Sequence, residues 1–435
     1  MPPVSFSASS KTVLLLGGRG FLGGFISASL KKQGFKVISL VRTPQKDLNE
    51  NEVHGDISNL VTPQSWERLL KGVTAVINAS GILRQKGKQS FETIHVKAPF
   101  ALAQACAQQN IRFIQISALG DPSDGEFIAS KHRFDEKLLA LPNDTLVFRP
   151  SVVYSTSGSY GGTSLLRALA CFPFASLLPG KSDWLLQPIS SEQLGEIVAS
   201  SVSNGSSGIY EVGCKTPLSL KEYQLLWRSW FRVEGKRSFH VPKFLVDIGV
   251  RFFEVIGTGP VGLTMWKMLQ RNNVVSSPKE YERREKTFGV PIKSVSEVLS
   301  QAPSQQQDRI SSLLYFVTPW LKWSVVVLWV MSGIAGLALS SSDIQALSSN
   351  TVLESLNPVL LSRVMGFFDI GLGLALVVSN KPRSIVLVMF FCALFYFLAL
   401  AFALPQALWE PWGGLIKNIV LLPTLAVLWV LVERR

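Results

Sequence analysis

The sequence predicts two unlike halves: an α/β doubly wound parallel sheet with a small C-terminal lobe, then an all-α bundle of four transmembrane helices. Three observations carry the prediction. A glycine turn joins an apolar run to helix-like spacing near residue 17, strand-like segments recur in order as far as 154, and four apolar runs fill the last third.

The 435 residues exceed the size of one domain. Mean hydropathy is +0.27, yet only seven of the 43 Lys and Arg fall from 311 onward, so a charged head precedes an apolar tail. The net charge of +13 is scattered and comes with no nucleic-acid motif; it points to an anionic lipid leaflet and away from nucleic acid. Cys106, Cys171, Cys214 and Cys392 lie far apart without a CxxC or an adjacent His, which indicates neither a metal site nor a disulfide framework and suits a reducing compartment. The opening "MPPVSFSASSK" lacks the charged-then-apolar layout of a signal peptide, so export of the head is not expected.

The first element is "KTVLLLGGRGFLGGFISASLKKQGFKVISLVR": an apolar strand, Val13 to Leu16, a glycine turn, helical spacing through Phe21, Leu22, Phe25, Ile26 and Leu30, and a second strand, Lys36 to Val41. Gly17, Gly20 and Gly23 form GxxGxxG, the layout of a Rossmann-type dinucleotide turn. Gly17 permits the tight turn, Gly20 lets backbone approach a pyrophosphate, and Gly23 lets the helix pack on the strand. Phe21 and Leu22 open a helix whose N-terminus favours the anion. A glycine-rich turn without a ligand is the alternative. NAD-binding units usually place a carboxylate after the second strand, whereas this strand ends in Leu40, Val41 and Arg42. With Arg19 in the turn, a guanidinium there can pair with a 2′-phosphate, which favours NADP(H) over NAD(H). Arg42 as a solvated strand end is the competing reading.

The next segments are "VHGDIS" with Asp56, "AVINASG" with Asn78 to Gly81, "RFIQISALG" ending a strand at Ser117, and "LVFRPSVVY" with Arg149, Pro150 and Tyr154. In this order they resemble the extended or atypical short-chain dehydrogenase/reductase superfamily, in the branch of the NADPH-binding accessory subunit of respiratory complex I. The resemblance covers roughly 10 to 300. It implies that Asp56 and Ile57 meet the adenine, that Ala79, Ser80 and Gly81 lie beside the ribose and pyrophosphate, and that Ser117 lies near the nicotinamide. It further implies Lys131 on the ribose hydroxyls, Pro150 and Val152 against the nicotinamide, and a substrate lobe over 170–300. Asp56 also reads as a turn residue.

"GEFIASKHR" departs from that pattern. The tyrosine expected four residues before Lys131 is Phe127, which has no proton to give. Lys131 reads either as a cofactor-holding cation or as a solvated helix lysine. His95, in "TIHVKAPF", stands where relatives carry a structural asparagine, and reads as a replacement proton carrier or as a structural histidine. Ser117 and Tyr154 are the other candidate proton donors.

The four apolar runs, at about 320–340, 360–379, 384–404 and 413–432, each have the roughly 20 residues that span a bilayer. Lys381 and Arg383 lie between the second and third, and Arg434 and Arg435 follow the fourth, which predicts a multi-pass protein of the cell (inner) membrane with head and C-terminus cytoplasmic. Arg363 and Asp369 in the second run, with Lys417 and Asn418 in the fourth, read as a polar membrane site or as snorkelling side chains. "RVMGFFDIGLG" and "PWGGLIKNIVLLP" resemble the DoxX-like four-helix membrane family, which implies a membrane redox partner. The domains expected are thus a disordered N-terminus at 1–10, an NAD(P)-binding domain at 11–300, a linker at 301–312 and a membrane domain at 313–435. An amphipathic stretch with Phe244, Ile248, Phe252 and Val255 on one face lies either on the bilayer or in the core.

Three functions fit: a membrane-anchored NAD(P)H-dependent oxidoreductase acting on an apolar quinone or lipid; a catalytically silent cofactor-binding module; and a nucleotide-regulated transport or electron-transfer protein.

Overall fold

The computed structural model describes residues 11–42, 47–85, 87, 89–235, 237–256, 262–349, 351–403, 405, 408 and 416–432. The terminus expected to be disordered, 1–10, lies outside them. Two compact units meet in sequence between Ser312 and Leu313.

The first unit opens with β1 (Thr12–Leu16), α1 (Phe21–Lys32), β2 (Lys36–Val41), β3 (Glu52–His54), β4 (Ala75–Asn78), α2 (Ala98–Gln108), β5 (Arg112–Ile116), α3 (Glu126–Leu139) and β6 (Thr145–Pro150). It continues through β7 (Val153–Tyr154), α4 (Gly162–Cys171), β8 (Ser176–Pro179), β9 (Leu185–Leu186), β10 (Ile189–Ser190), α5 (Ser191–Ser201), β11 (Gly208–Val212), β12 (Leu218–Ser219) and α6 (Leu220–Trp230). Last come β13 (Ser238–Val241), α7 (Lys243–Ile256), α8 (Leu263–Gln270), α9 (Pro278–Phe288) and α10 (Val295–Gln301).

Seven strands pair in the order β11-β6-β5-β4-β1-β2-β3, all parallel. Val13 and Leu15 join the core on one face with Ile26, Leu30 and Leu194. Leu14 and Leu16 join the core on the other with Trp66, Leu102 and Phe134. That period-two division is why the strand reads as a continuous apolar run. Strand order reverses at β1, which has β2 on one side and β4 on the other. The reversal leaves a crevice at the carboxyl ends of the strands, where such sheets take ligands.

The stretch expected to form a separate lobe contributes to this sheet. β11 is its edge strand, and α5 lies on α1 so closely that a Cβ on Gly195 would stand 2.9 Å from the Phe25 carbonyl oxygen. A short apolar strand such as "GIYEV" carries no mark of which sheet it joins. The expected linker is also partly ordered helix: α11 (Gln306–Ala338) begins within it. Trp230 Nε1 donates to Ala302 O at 2.5 Å, and Arg167 pairs with Asp308 at 3.5 Å.

The second unit is helical: most of α11, then α12 (Ser341–Ser348), α13 (Pro358–Val378), α14 (Pro382–Ala403) and α15 (Leu421–Leu431). Among the described residues three helices, α11, α13 and α14, are long and apolar enough to cross a membrane. Of the fourth expected span, 413–432, residues 416–432 are described: a 3-10 turn, Ile416–Val420, leads into the shorter α15. The α-helix starts two residues before Pro423, whose missing N–H is tolerated in a first turn. α11 and α13 touch through glycine: a Cβ on Gly333 would meet the Gly366 carbonyl oxygen at 2.5 Å. Small residues at such crossings let membrane helices pack by backbone.

Candidate functional site

The glycine turn leaves β1 at the crevice. Gly17 has φ +79°, and a Cβ there would lie 2.8 Å from Ala79 O. A Cβ on Gly23 would lie 2.0 Å from Gly17 O, so the helix is seated directly on the turn. α1 has no side-chain cap and no acidic residue in its first turn. Its first N–H groups, near Phe21 and Leu22, therefore point at the crevice without a side-chain acceptor, an arrangement that fits a pyrophosphate. Asn78 shapes the adjoining loop of Ala79, Ser80 and Gly81, accepting from Ser80 N at 3.2 Å while donating to Gln115 Oε1 at 2.8 Å.

At the far corner, Arg19 pairs with Glu52, Nη2 to Oε2 at 2.6 Å. Arg42 is exposed just past the end of β2. Asp56 caps the 3-10 turn Ile57–Asn59, its Oδ1 accepting from Ser58 N at 3.0 Å. The simple turn role is thus present at Asp56.

The catalytic candidates separate. Lys131, on α3, is buried, donates from Nζ to Ile116 O at 3.0 Å, and would stand 3.6 Å from a Cβ on Gly81. Burial brings its pKa down from 10.5 to about 8, against the pull of Asp135. The Lys131 ammonium lies 5.7 Å from the centre of the Phe127 ring, which also meets His95 edge-on at 5.6 Å. The solvated-lysine reading of Lys131 does not hold.

His95 is held at both ring nitrogens. It sits on a π-helical turn, Glu92–Lys97, with Nε2 3.0 Å from Ile82 N and Nδ1 2.9 Å from Ser130 Oγ. Because the Ile82 N–H can only donate, Nε2 accepts, the proton sits on Nδ1, and Ser130 passes its own proton on to Phe127 O at 3.2 Å. Burial first, then the Lys131 charge, lowers its pKa from 6.5 to about 3. A neutral ring with both nitrogens engaged pins the 82 loop to α3; it is not poised as a proton carrier.

Ser117 is buried and donates to Asp135 Oδ2 at 2.7 Å, where Arg149 Nε also donates at 2.9 Å. Its proton is committed to that carboxylate. Asp135, whose pKa burial raises against Arg149, was missed in the sequence. Its spacing four after Lys131 puts both on one helix face and was the available signal. Tyr154 is buried in the lobe, edge-on to Tyr223 at 6.3 Å and Trp227 at 5.9 Å. Its hydroxyl has no hydrogen-bond partner among the described residues, and burial pushes its pKa well above the usual phenol range, so it is a poor proton donor.

Pro150 and Val152 lie where β6 leaves the sheet, Pro150 O accepting from Leu119 N and Val152 O from Ile189 N. The lobe closes on this end. Asn273 receives Ser151 Oγ at 2.5 Å, and Arg271 grips Asp124 through two bonds of 3.1 and 2.7 Å.

Residues 13–155 match the NAD dependent epimerase/dehydratase family and residues 326–429 match the DoxX-like family. The head is thus similar to an epimerase-type NAD-binding domain and the tail to a DoxX-like domain, each match covering less than half of the chain. Over 149 residues it is 29% identical to the ceramide reductase of Caulobacter vibrioides, covering 33% of this chain and 46% of that protein. Over 151 residues it is 28% identical to short-chain dehydrogenase/reductase family 42E member 1 of Xenopus laevis, covering 33% and 38%. These matches span less than half of either relative. The UDP-glucose 4-epimerase of Thermotoga maritima superposes with a TM-score of 0.51 at 13% identity, over 67% of this chain and 97% of that one. The ADP-L-glycero-D-manno-heptose-6-epimerase of Helicobacter pylori does so at 0.50 and 14%, over 67% and 95%. At such identities the likeness is one of fold.

In the DoxX-like domain the expected polar cluster is not assembled around Arg363. That guanidinium donates to carbonyls at the end of α11, Gly336 O at 2.9 Å and Leu337 O, and to Leu339 O just past it at 2.7 Å. Six residues turn a helix by roughly 240°, which is why Arg363 and Asp369 face apart. Asp369 is buried, taking Ser332 Oγ at 3.2 Å and Tyr396 OH at 3.4 Å. Asn418 is exposed on the 3-10 turn, and the Lys417 side chain lies outside the described residues.

Proposed function

We propose that this chain is a membrane-anchored NAD(P)H-dependent reductase of a carbonyl-bearing apolar substrate, a lipid or a quinone, with Lys131 as its acid. The observation that carries the reading is the buried Lys131 amine beside Gly81, tuned to about pH 8. Gly17, Gly20, Phe21, Leu22 and Gly23 hold the pyrophosphate, Ala79 to Gly81 the adjoining ribose, Asp56 and Ile57 the adenine, and Pro150 and Val152 the nicotinamide. A bound reduced nicotinamide supplies the hydride. Lys131 gives its proton to the substrate oxygen, directly or through a ribose hydroxyl, and is reprotonated from water. Ser117, Asp135 and Arg149 fix the floor behind it.

NADP(H) is the preferred cofactor, since β2 ends without an acid and the exposed Arg42 follows it, while the other guanidinium of the corner, Arg19, is paired with Glu52. A lipid substrate is supported by the bilayer itself and by the similarity to a ceramide reductase. Lys381 just before the third membrane helix and Arg383 in its first turn support a cytoplasmic side for that end of the helix by the positive-inside rule.

Full-length protein in detergent is titrated with NADPH and NADH, then assayed for NADPH oxidation with short-chain quinones and long-chain ketones. NADPH is expected to bind more tightly, with Arg42→Ala narrowing the gap. Failure of both nucleotides to bind removes the proposal. Phe127 favours one rival: tight NADPH binding with no acceptor reduced makes the head a silent cofactor-binding module.

A further inference from the structure

The surface of α7 runs against the rule for helices on water-facing domains. Phe244, Leu245 and Ile248 are 62%, 49% and 60% exposed. Its two acids bond to α8: Asp247 Oδ1 accepts from Trp266 Nε1 at 2.6 Å and Glu254 Oε2 from Leu263 N at 3.1 Å, while Lys243 and Arg251 stay exposed beside the apolar side chains. The apolar face continues beyond the helix. Phe239 on β13 is 70% exposed, and Phe174, just ahead of β8, is 80% exposed. β8 and β13 pair side by side, and Gly180 N–H bonds Val241 O directly before α7 begins, so the backbone runs on from Phe239 into α7.

Charge identifies the occupant. From Arg237 to the end of α7 the exposed cations Arg237, Lys243 and Arg251 stand against two acids, Asp247, which turns to Trp266 and Lys243, and Glu254, which bonds Leu263 N. Exposed phenyls set among cations match the boundary between acyl chains and anionic headgroups. The same chain carries helices of spanning length, so such a surface is always within reach of it. We infer that the α7–β13 face seats in the surface of an anionic bilayer and that α7 and α8 form the lipid-side entrance to the crevice.

The second half of that inference rests on the proposed reductase activity. α8 lies on the start of α3: a Cβ on Gly125 would stand 2.3 Å from Thr264 Oγ1, and Arg271 just beyond α8 grips Asp124. Gly125 is two residues from Phe127. A helix gripped by lipid on one side and bonded to α8 on the other therefore reaches the Phe127 and Lys131 end of the crevice through a short run of contacts.

Full-length chain with Cys392→Ser is spin-labelled through Ile248→Cys, or through Glu136→Cys on the exposed side of α3, and reconstituted in vesicles with and without phosphatidylglycerol. The label at 248 is expected to collide severalfold more with oxygen than with a water-soluble nickel complex when phosphatidylglycerol is present, and the label at 136 to show the reverse. A label at 248 that remains aqueous in both vesicles overturns the docking, as does strong spin–spin broadening between copies, which would make a second copy the occupant. Phe244→Ser with Ile248→Ser should lose most turnover of a membrane-embedded ketone while keeping NADPH binding and turnover of a short, water-soluble ketone. Equal loss on both substrates overturns the entrance. A lipid-buried label in a chain that binds no nucleotide leaves the docking standing and removes the reductase reading alone.

Discussion

Phe127 and Lys131 share a face of α3, and the ammonium nitrogen stands 5.7 Å from the centre of the phenyl ring. The geometry of a tyrosine-lysine pair is present without the hydroxyl that would use it. Phe127→Tyr places a phenol near the Lys131 ammonium, whose positive charge favours the phenolate. NADPH-dependent reduction at saturating nucleotide is expected to rise about tenfold or more, with the nucleotide Kd unchanged. Stopped-flow oxidation of bound NADPH reads this directly, and an unchanged rate removes Lys131 from any role as an acid-base partner.

The Lys131 amine sets a pH limb. Reduction draws on its ammonium form, so the rate should fall as pH rises through about 8, and the reverse oxidation should rise across the same region. For stability the sign is set by a folded pKa of about 8 below the ordinary 10.5. Between those values the unfolded chain binds more protons, so stability rises with pH across that window. Lys131→Met should flatten both profiles, as read by initial rates and by denaturant midpoints in detergent.

His95 predicts the opposite end of the pH scale. Its folded pKa of about 3 lies below the ordinary 6.5, so the unfolded chain binds the extra proton as pH falls from 6.5 toward 3, and stability is lost there. His95→Gln keeps an acceptor for Ile82 N–H and should weaken that pH dependence. His95→Ala strands the Ile82 and Ser130 groups, at a cost of about 1–3 kcal/mol. Thermal unfolding at pH 7 and pH 5 separates the two variants.

Much of this was legible in the order of residues. The glycine turn, the strand series to Tyr154 and the apolar tail announce themselves because parallel strands buried on both faces and membrane helices both write uninterrupted apolar runs. The fate of the catalytic candidates was not legible. Whether His95 carries a proton depends on the Ile82 amide and Ser130, thirteen and thirty-five residues away, and Ser117 is decided by Asp135 on another element. Tyr154 reads the same whether it faces a cofactor or the Trp227 cluster. Nor does the length of the last apolar run tell a 3-10 turn from α-helix: its described residues give α15 preceded by such a turn.

Arg363 and Asp369 should behave independently. Arg363→Met frees the terminal carbonyls of α11 and is expected to lower stability in bilayer or detergent by about 1–2 kcal/mol. Asp369→Asn keeps a partner for Ser332 and Tyr396 and should leave the fold intact. A double-mutant cycle should give a coupling energy near zero; coupling above about 0.5 kcal/mol would restore an Arg-Asp pair.

The two neighbouring glycines that follow Leu22 face opposite demands. A Cβ at Gly23 would run into Gly17 O, whereas nothing lies within 4 Å of one at Gly24. A complete substitution map should therefore change character within a single step: no side chain tolerated at the first, and at the second a gain of about 0.5–1 kcal/mol from alanine, because a helix interior favours it. The identical letters "GG" hold a fixed point of nucleotide binding and, next to it, an unused reserve of thermal stability.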